Sequence, residues 1–91
     1  MRITAEMSLY PLHGEVLGRI LSFIRVVTGD PRLEVEVNQM STQIRGELDA
    51  VMDVLTAAMQ TSFTNDGSAA LVVKFLNADL PIGQKPELGF G

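Results

Sequence analysis

The feature that most constrains this chain is the order in which its hydrophobic period changes. Ile3, Ala5, Met7 and Leu9 alternate with Thr4, Glu6, Ser8 and Tyr10, the spacing of a strand with two unlike faces. Pro11 and Gly14 end that ladder. Val16, Leu17, Ile20, Leu21, Phe23, Ile24 and Val27 then recur at helical spacing, predicting a helix over Glu15 to Val27 that leaves Glu15, Gly18, Arg19, Ser22 and Arg25 largely outward. Thr28-Gly29-Asp30-Pro31 stops it.

Alternation returns at Leu33, Val35 and Val37, suiting a strand near a sheet edge. A short Asn38-Gln39 link predicts a hairpin into a strand from Met40 through Thr42 and Ile44. Gly46 reads as the turn into a second helix, with Glu47 and Asp49 in its first turn, where carboxylates suit the positive end of the dipole. Leu48, Val51, Met52, Leu55, Ala58 and Met59 form its apolar arc, and Asn65-Asp66-Gly67 signals a turn. Ala69 to Leu76, apolar at nearly every position, reads as a buried strand.

Strand, helix, strand, strand, helix, strand is the plan of the α+β, ferredoxin-like βαββαβ sandwich, a four-stranded antiparallel sheet with two helices on one face. Strands one and three are expected at its centre. The helix-facing set is then Ile3, Ala5, Met7, Leu9, Met40, Ile44, Leu71, Val73 and Phe75. The domain is expected over residues 1–78, followed by a flexible tail over 79–91, which has two prolines, three glycines and no period. The other sheet face has no cover of its own. Because it carries Val72 and Leu76 beside its polar residues, a second copy of the same face is the expected cover, giving a homodimer or a homotetramer. A domain of 91 residues buries only about 60 to 65% of its unfolded surface, so association is a natural supplement.

Composition closes several functional classes. Seven basic against eleven acidic residues leave a net charge of −4, which repels a phosphate backbone, so no nucleic acid partner is expected. The chain has no cysteine, hence no disulfide, thiolate nucleophile or cysteine-bound metal. No apolar run approaches the roughly 20 residues of a membrane span, and the alternating N-terminal stretch does not read as a signal peptide. A complete, cytoplasmic protein without a membrane partner is the expectation.

Catalysis finds little support. His13 is the one histidine, in a Pro-Leu-His-Gly turn without a second imidazole. No serine can be paired with a base. The Glu34/Glu36 and Asp49/Asp53 pairs have the spacing of solvated surface. No metal site, no catalytic residue and no cofactor are expected. The polar set on the uncovered sheet face is more informative. Glu6, Ser8, Tyr10, Ser41, Gln43, Arg45 and Lys74 converge there, and stacking of two sheets would close over them. A partly buried Glu6 then needs a partner: Lys74 or Arg45, setting the dimer register, or a ligand with donors or positive charge.

The blocks Ile3-x-Ala5-Glu6-Met7-Ser8-Leu9-Tyr10-Pro11-Leu12 and Asn38-x-Met40-Ser41-Thr42-x-Ile44-x-Gly46-Glu47-x-Asp49-x-Val51 resemble the thiamine-binding, YkoF-like family of small ferredoxin-like domains, over nearly the whole chain to about Leu76. The resemblance implies a noncatalytic module that binds thiamine or its hydroxymethylpyrimidine moiety between sheets. In a single-domain chain such a pocket draws on two subunits. An aminopyrimidine asks for a carboxylate or carbonyl beside hydroxyl or amide donors, and Glu6, Ser8, Ser41, Thr42 and Gln43 supply those types. Tyr10 or Glu6 suits a thiazolium. Regular alternation puts Thr42 on the helix side, from which only a bulge or strand-end twist would bring it to the inter-sheet site. The alternative is a structural or regulatory oligomerisation module without a ligand.

Overall fold

The computed structural model describes residues 1–65 and 67–89. Its elements are β1 (Arg2–Pro11), α1 (Val16–Thr28), β2 (Glu34–Val37), β3 (Thr42–Glu47), α2 (Leu48–Asn65) and β4 (Ala69–Leu76). The strands form one antiparallel sheet in the order β2-β3-β1-β4. This is the ferredoxin-like α+β fold, with β1 and β3 central as expected. Of the Asn65-Asp66-Gly67 turn, Asp66 lies outside the described residues, as do Phe90 and Gly91 of the expected tail.

Period two in β1 becomes burial on one face. Ile3, Ala5, Met7 and Leu9 enter a core shared with Ile44 of β3, Phe23 and Val27 of α1, and Val51, Val54, Leu55 and Ala58 of α2. Each large apolar side chain fully removed from water contributes about 1.5–3 kcal/mol, which offsets the entropy of ordering the chain. β4 is an edge strand, less buried than its composition suggests. Leu71 and Val73 only pack against the core from its margin, and Phe75, expected beneath the helices, is exposed. Met40 also leaves the expected helix-facing set. The link between β2 and β3 spans 38–41, β3 begins at Thr42, and Met40 stands 86% exposed in the turn.

The buried arc of α1 is rotated from the expected one. Arg19, Phe23 and Val27 form its inner stripe, whereas Val16, Leu17 and Leu21 are exposed. Arg19, expected outward, is only 5% exposed. Its Nη1 donates to the carbonyls of His13 (2.6 Å) and Ser68 (2.8 Å), and its Nη2 to those of Gly67 (2.6 Å) and Ser62 (3.3 Å). The planar guanidinium thus ties the loop before α1 to the last turn of α2 and the loop after it. The two loops also meet directly, Leu12 N donating to Ser68 O at 3.0 Å.

Gly46 is not a turn residue, because β3 continues through Glu47. The reason for glycine is Leu33, which folds over the strand so closely that a Cβ at position 46 would meet its Cδ2 at 2.7 Å and the Arg32 carbonyl oxygen at 3.2 Å. The face away from the helices is partly covered by its own chain. Thr4 Oγ1 donates to Ala78 O (2.7 Å) and accepts from Leu80 N (3.0 Å). Asp79 pairs with Arg2 at 3.0 Å and reaches Arg45 at 3.8 Å, and Ile82 is buried. Residues 78–82 therefore form a strap across one end of the face, where a loose tail and a bare sheet are expected from the sequence.

Candidate functional site

The residues singled out in the sequence separate into two groups, one on each side of the sheet. Glu6 lies opposite Gln43 on β3 and Lys74 on β4, on the face away from the helices. Its carboxylate accepts from Ser41 Oγ at 3.1 Å and pairs with Lys74 Nζ at 3.4 Å. The Ser41 hydroxyl first, and Lys74 second, hold the Glu6 carboxyl below its ordinary pKa of 4.5. Of the two protein partners considered for Glu6, it is Lys74 that pairs with it. Arg45 pairs instead with Glu34 at 2.7 Å. Glu6, Gln43 and Lys74 line an open cleft of ≈ 190 Å³ whose apolar side is made by Leu76, Leu80 and Ile82.

The second place is on the helix side, where α1 parts from the ends of β1 and β3. A crevice of ≈ 340 Å³ opens there, walled by Met7, Leu9, Val16, Ile20, Phe23, Ile24 and Val37. Four of the six expected residues, Ser8, Tyr10, Ser41 and Thr42, line it together with Asn38, Gln39 and Met40 of the hairpin turn. A mostly apolar concavity of roughly 300 Å³ or more with a few convergent polar groups is the usual form of a small-molecule site.

Thr42 is the most informative member. It pairs with Met7 in regular register, without a bulge, so alternation turns it under α1. It is 5% exposed and lines the crevice beneath α1. Tyr10, by contrast, is 54% exposed at the rim. The expected constellation is thus divided: Glu6 and Gln43 face the cleft, and Thr42 faces the crevice.

The hairpin turn that forms the crevice mouth is built by Asn38, whose side-chain oxygen accepts from Met40 N (2.9 Å) and Ser41 N (3.0 Å) while Asn38 N donates to Ser41 O (3.0 Å). An Asn two and three residues ahead of the amides it caps is a recognised turn signal, which reading Asn38-Gln39 as a two-residue link overlooked. The apolar walls from α1 could not be assigned from spacing, because which flank of the helix faces the sheet depends on the packing. Among the described residues, no group of three or more His, Cys, Asp or Glu able to hold a metal occurs and no helix is long and apolar enough to cross a membrane.

The α+β sandwich thus carries two concavities, a crevice with hydroxyl and amide groups and a cleft with a carboxylate, and concavities of this kind are the form that small-molecule binding domains take. The chain belongs to the thiamine-binding protein family, whose model matches residues 5–78. Solved structures of the same fold include a Streptococcus pneumoniae protein, 18% identical over 88% of this chain and 90% of its own, with a TM-score of 0.79. A domain of unknown function, DUF77, from Bacillus cereus is 26% identical over 86% of this chain and 77% of its own, with a TM-score of 0.73. A Thermotoga maritima protein named for a candidate role in thiamine biosynthesis or salvage is 16% identical over 94% and 90%, with a TM-score of 0.74. No curated protein matches the chain.

Proposed function

We propose that this protein is a noncatalytic module that binds thiamine or its hydroxymethylpyrimidine moiety, acting in the cytoplasm as a homodimer or homotetramer. Membership of the thiamine-binding family supports the ligand class. The observation that carries the reading is Thr42, a largely buried hydroxyl residue that lines a mostly apolar crevice. A flat pyrimidine suits the space between apolar side chains of α1 and the sheet, and its ring nitrogens and amino group offer hydrogen-bond partners to the Thr42 hydroxyl.

Calorimetry and thermal shift with thiamine and with hydroxymethylpyrimidine test this. Selective binding to the folded chain raises its melting temperature. Thr42→Val, which keeps the shape and deletes the hydroxyl, is expected to weaken binding roughly tenfold, about the worth of one hydrogen bond. No heat and no shift at millimolar thiamine would count against the proposal.

A second reading places the ring on the open face, between Glu6, Gln43 and Tyr10 of stacked copies. The ≈ 190 Å³ cleft beside the Glu6 carboxylate favours it. It predicts that apparent affinity rises with protein concentration, because the site is completed only by association. The ligand-free assembly module predicts neither effect.

A further inference from the structure

The two faces of the sheet are joined at one point. Ser41 is the last residue of the hairpin turn, and its hydroxyl reaches down the open face to the Glu6 carboxylate at 3.1 Å. Thr42, the next residue, starts β3 and points the opposite way, beneath α1. Successive side chains of a strand leave on opposite faces, so fastening Ser41 to one face fixes the direction in which Thr42 leaves the other. Glu6 and Met7 repeat the relation on β1: Met7 lies opposite Thr42 and lines the crevice, while Glu6 is its neighbour on the far face. A weaker second tether runs alongside, Ser8 Oγ donating to the Met40 carbonyl at 3.4 Å.

We infer that Glu6 is a positioning residue, which acts through its hydrogen bond from Ser41 to hold the hairpin turn and the Thr42 hydroxyl in place at the crevice, and does not itself touch the ligand. The inference rests on the crevice reading of the site. It reverses the role that sequence and family resemblance suggest for Glu6. The geometry favours it because the carboxylate lies on the far side of the sheet from the crevice and is already engaged by Ser41 and Lys74. Without this tether the turn is held by Asn38, the long Ser8 contact and the ladder alone, and Met40 beside it is exposed. Release would broaden the range of Thr42 orientations and lower the fraction of chains ready to bind, which reduces apparent affinity in proportion.

The test is a double-mutant cycle read by thiamine calorimetry on the full chain. Ser41→Ala and Glu6→Ala are each expected to weaken thiamine roughly fivefold, the scale of one charge-assisted hydrogen bond on a partly exposed surface. The double variant should be no more than about twofold weaker than either single, because the two groups act as one unit. Ser41→Thr, which keeps the hydroxyl, should restore affinity. Amide exchange at Met40 and Ser41 should quicken in both alanine variants. Loss of affinity on Glu6→Ala alone, with Ser41→Ala neutral, would show that Glu6 contacts ligand on the open face and overturn the inference. Fully additive losses, or two neutral variants that still bind thiamine, would overturn it equally. Failure of the unsubstituted chain to bind thiamine would remove the crevice reading and the inference together.

Discussion

Arg19 offers a sharp check on the packing, because nothing in the local pattern marks it as structural. Its guanidinium is nearly buried, and no carboxylate among the described residues pairs with it. Four carbonyl oxygens accept from it, at 2.6 to 3.3 Å. A hydrogen bond to a charged group contributes about 1.5–3 kcal/mol, but the four cannot be summed. His13 and Ser68 are exposed, so their carbonyls can turn to water, and burying a guanidinium has its own desolvation cost, here increased by an Nε without a partner. What replacement cannot repair is the Ser62 carbonyl, whose bond is buried, and the join between the two loops. Arg19→Met, which keeps the aliphatic stem, should therefore cost about 2–4 kcal/mol. In a domain of this size that lowers Tm by very roughly 10 to 25 °C. Arg19→Lys should recover only part, since one ammonium cannot span both forks of the cradle. Urea unfolding at a fixed protein concentration is the assay, with a fall in midpoint at constant slope as the expected signature. A loss below about 1 kcal/mol for Arg19→Met would show that water replaces the guanidinium and that the loops are held by other contacts.

Gly46→Ala should destabilise by about 1–3 kcal/mol through overpacking against Leu33; in Gly46→Ala/Leu33→Ala the two losses should sum to less than their separate values, and strict additivity in urea unfolding would contradict the contact. The Glu6 carboxyl, held below its ordinary pKa by Ser41 and Lys74, stabilises the fold above its unfolded pKa and loses that contribution as pH falls through its lower folded value. Carbon-detected NMR titration should find its midpoint below 4.5 and raised again in Ser41→Ala, with an unmoved midpoint contradicting the bond. Thr4→Val removes both hydrogen bonds that fasten the strap, so amide exchange at Leu80 should accelerate at least tenfold, with roughly 1–2 kcal/mol lost overall. Unchanged protection would mean that Asp79 and the buried Ile82 suffice.

Much of the fold is legible because alternation and helical spacing are local. Ile3, Ala5, Met7 and Leu9 announce an inward face whatever lies above them, and Leu48 to Met59 announce a helix. Element type and order follow, and with them the sandwich and the central places of β1 and β3. The candidate site is legible only as a set of types. Ser8, Tyr10, Ser41 and Thr42 do meet, but at a crevice whose walls come from α1, and Glu6 and Gln43 turn away from it.

Period alone specifies which residues share a face; it does not specify which flank of a broad apolar arc is pressed inward. In α1 that choice fell to packing against β1 and α2, which buried Arg19 and left Leu17 and Leu21 outside. Long-range closeness decided the rest. Gly46 answers to Leu33, thirteen residues earlier, Thr4 to Ala78 and Leu80, and Arg19 to Gly67 and Ser68. Hydrophobic patterning is written residue by residue along the chain, whereas a hydrogen-bond partner or a steric neighbour exists only once distant segments have been brought together.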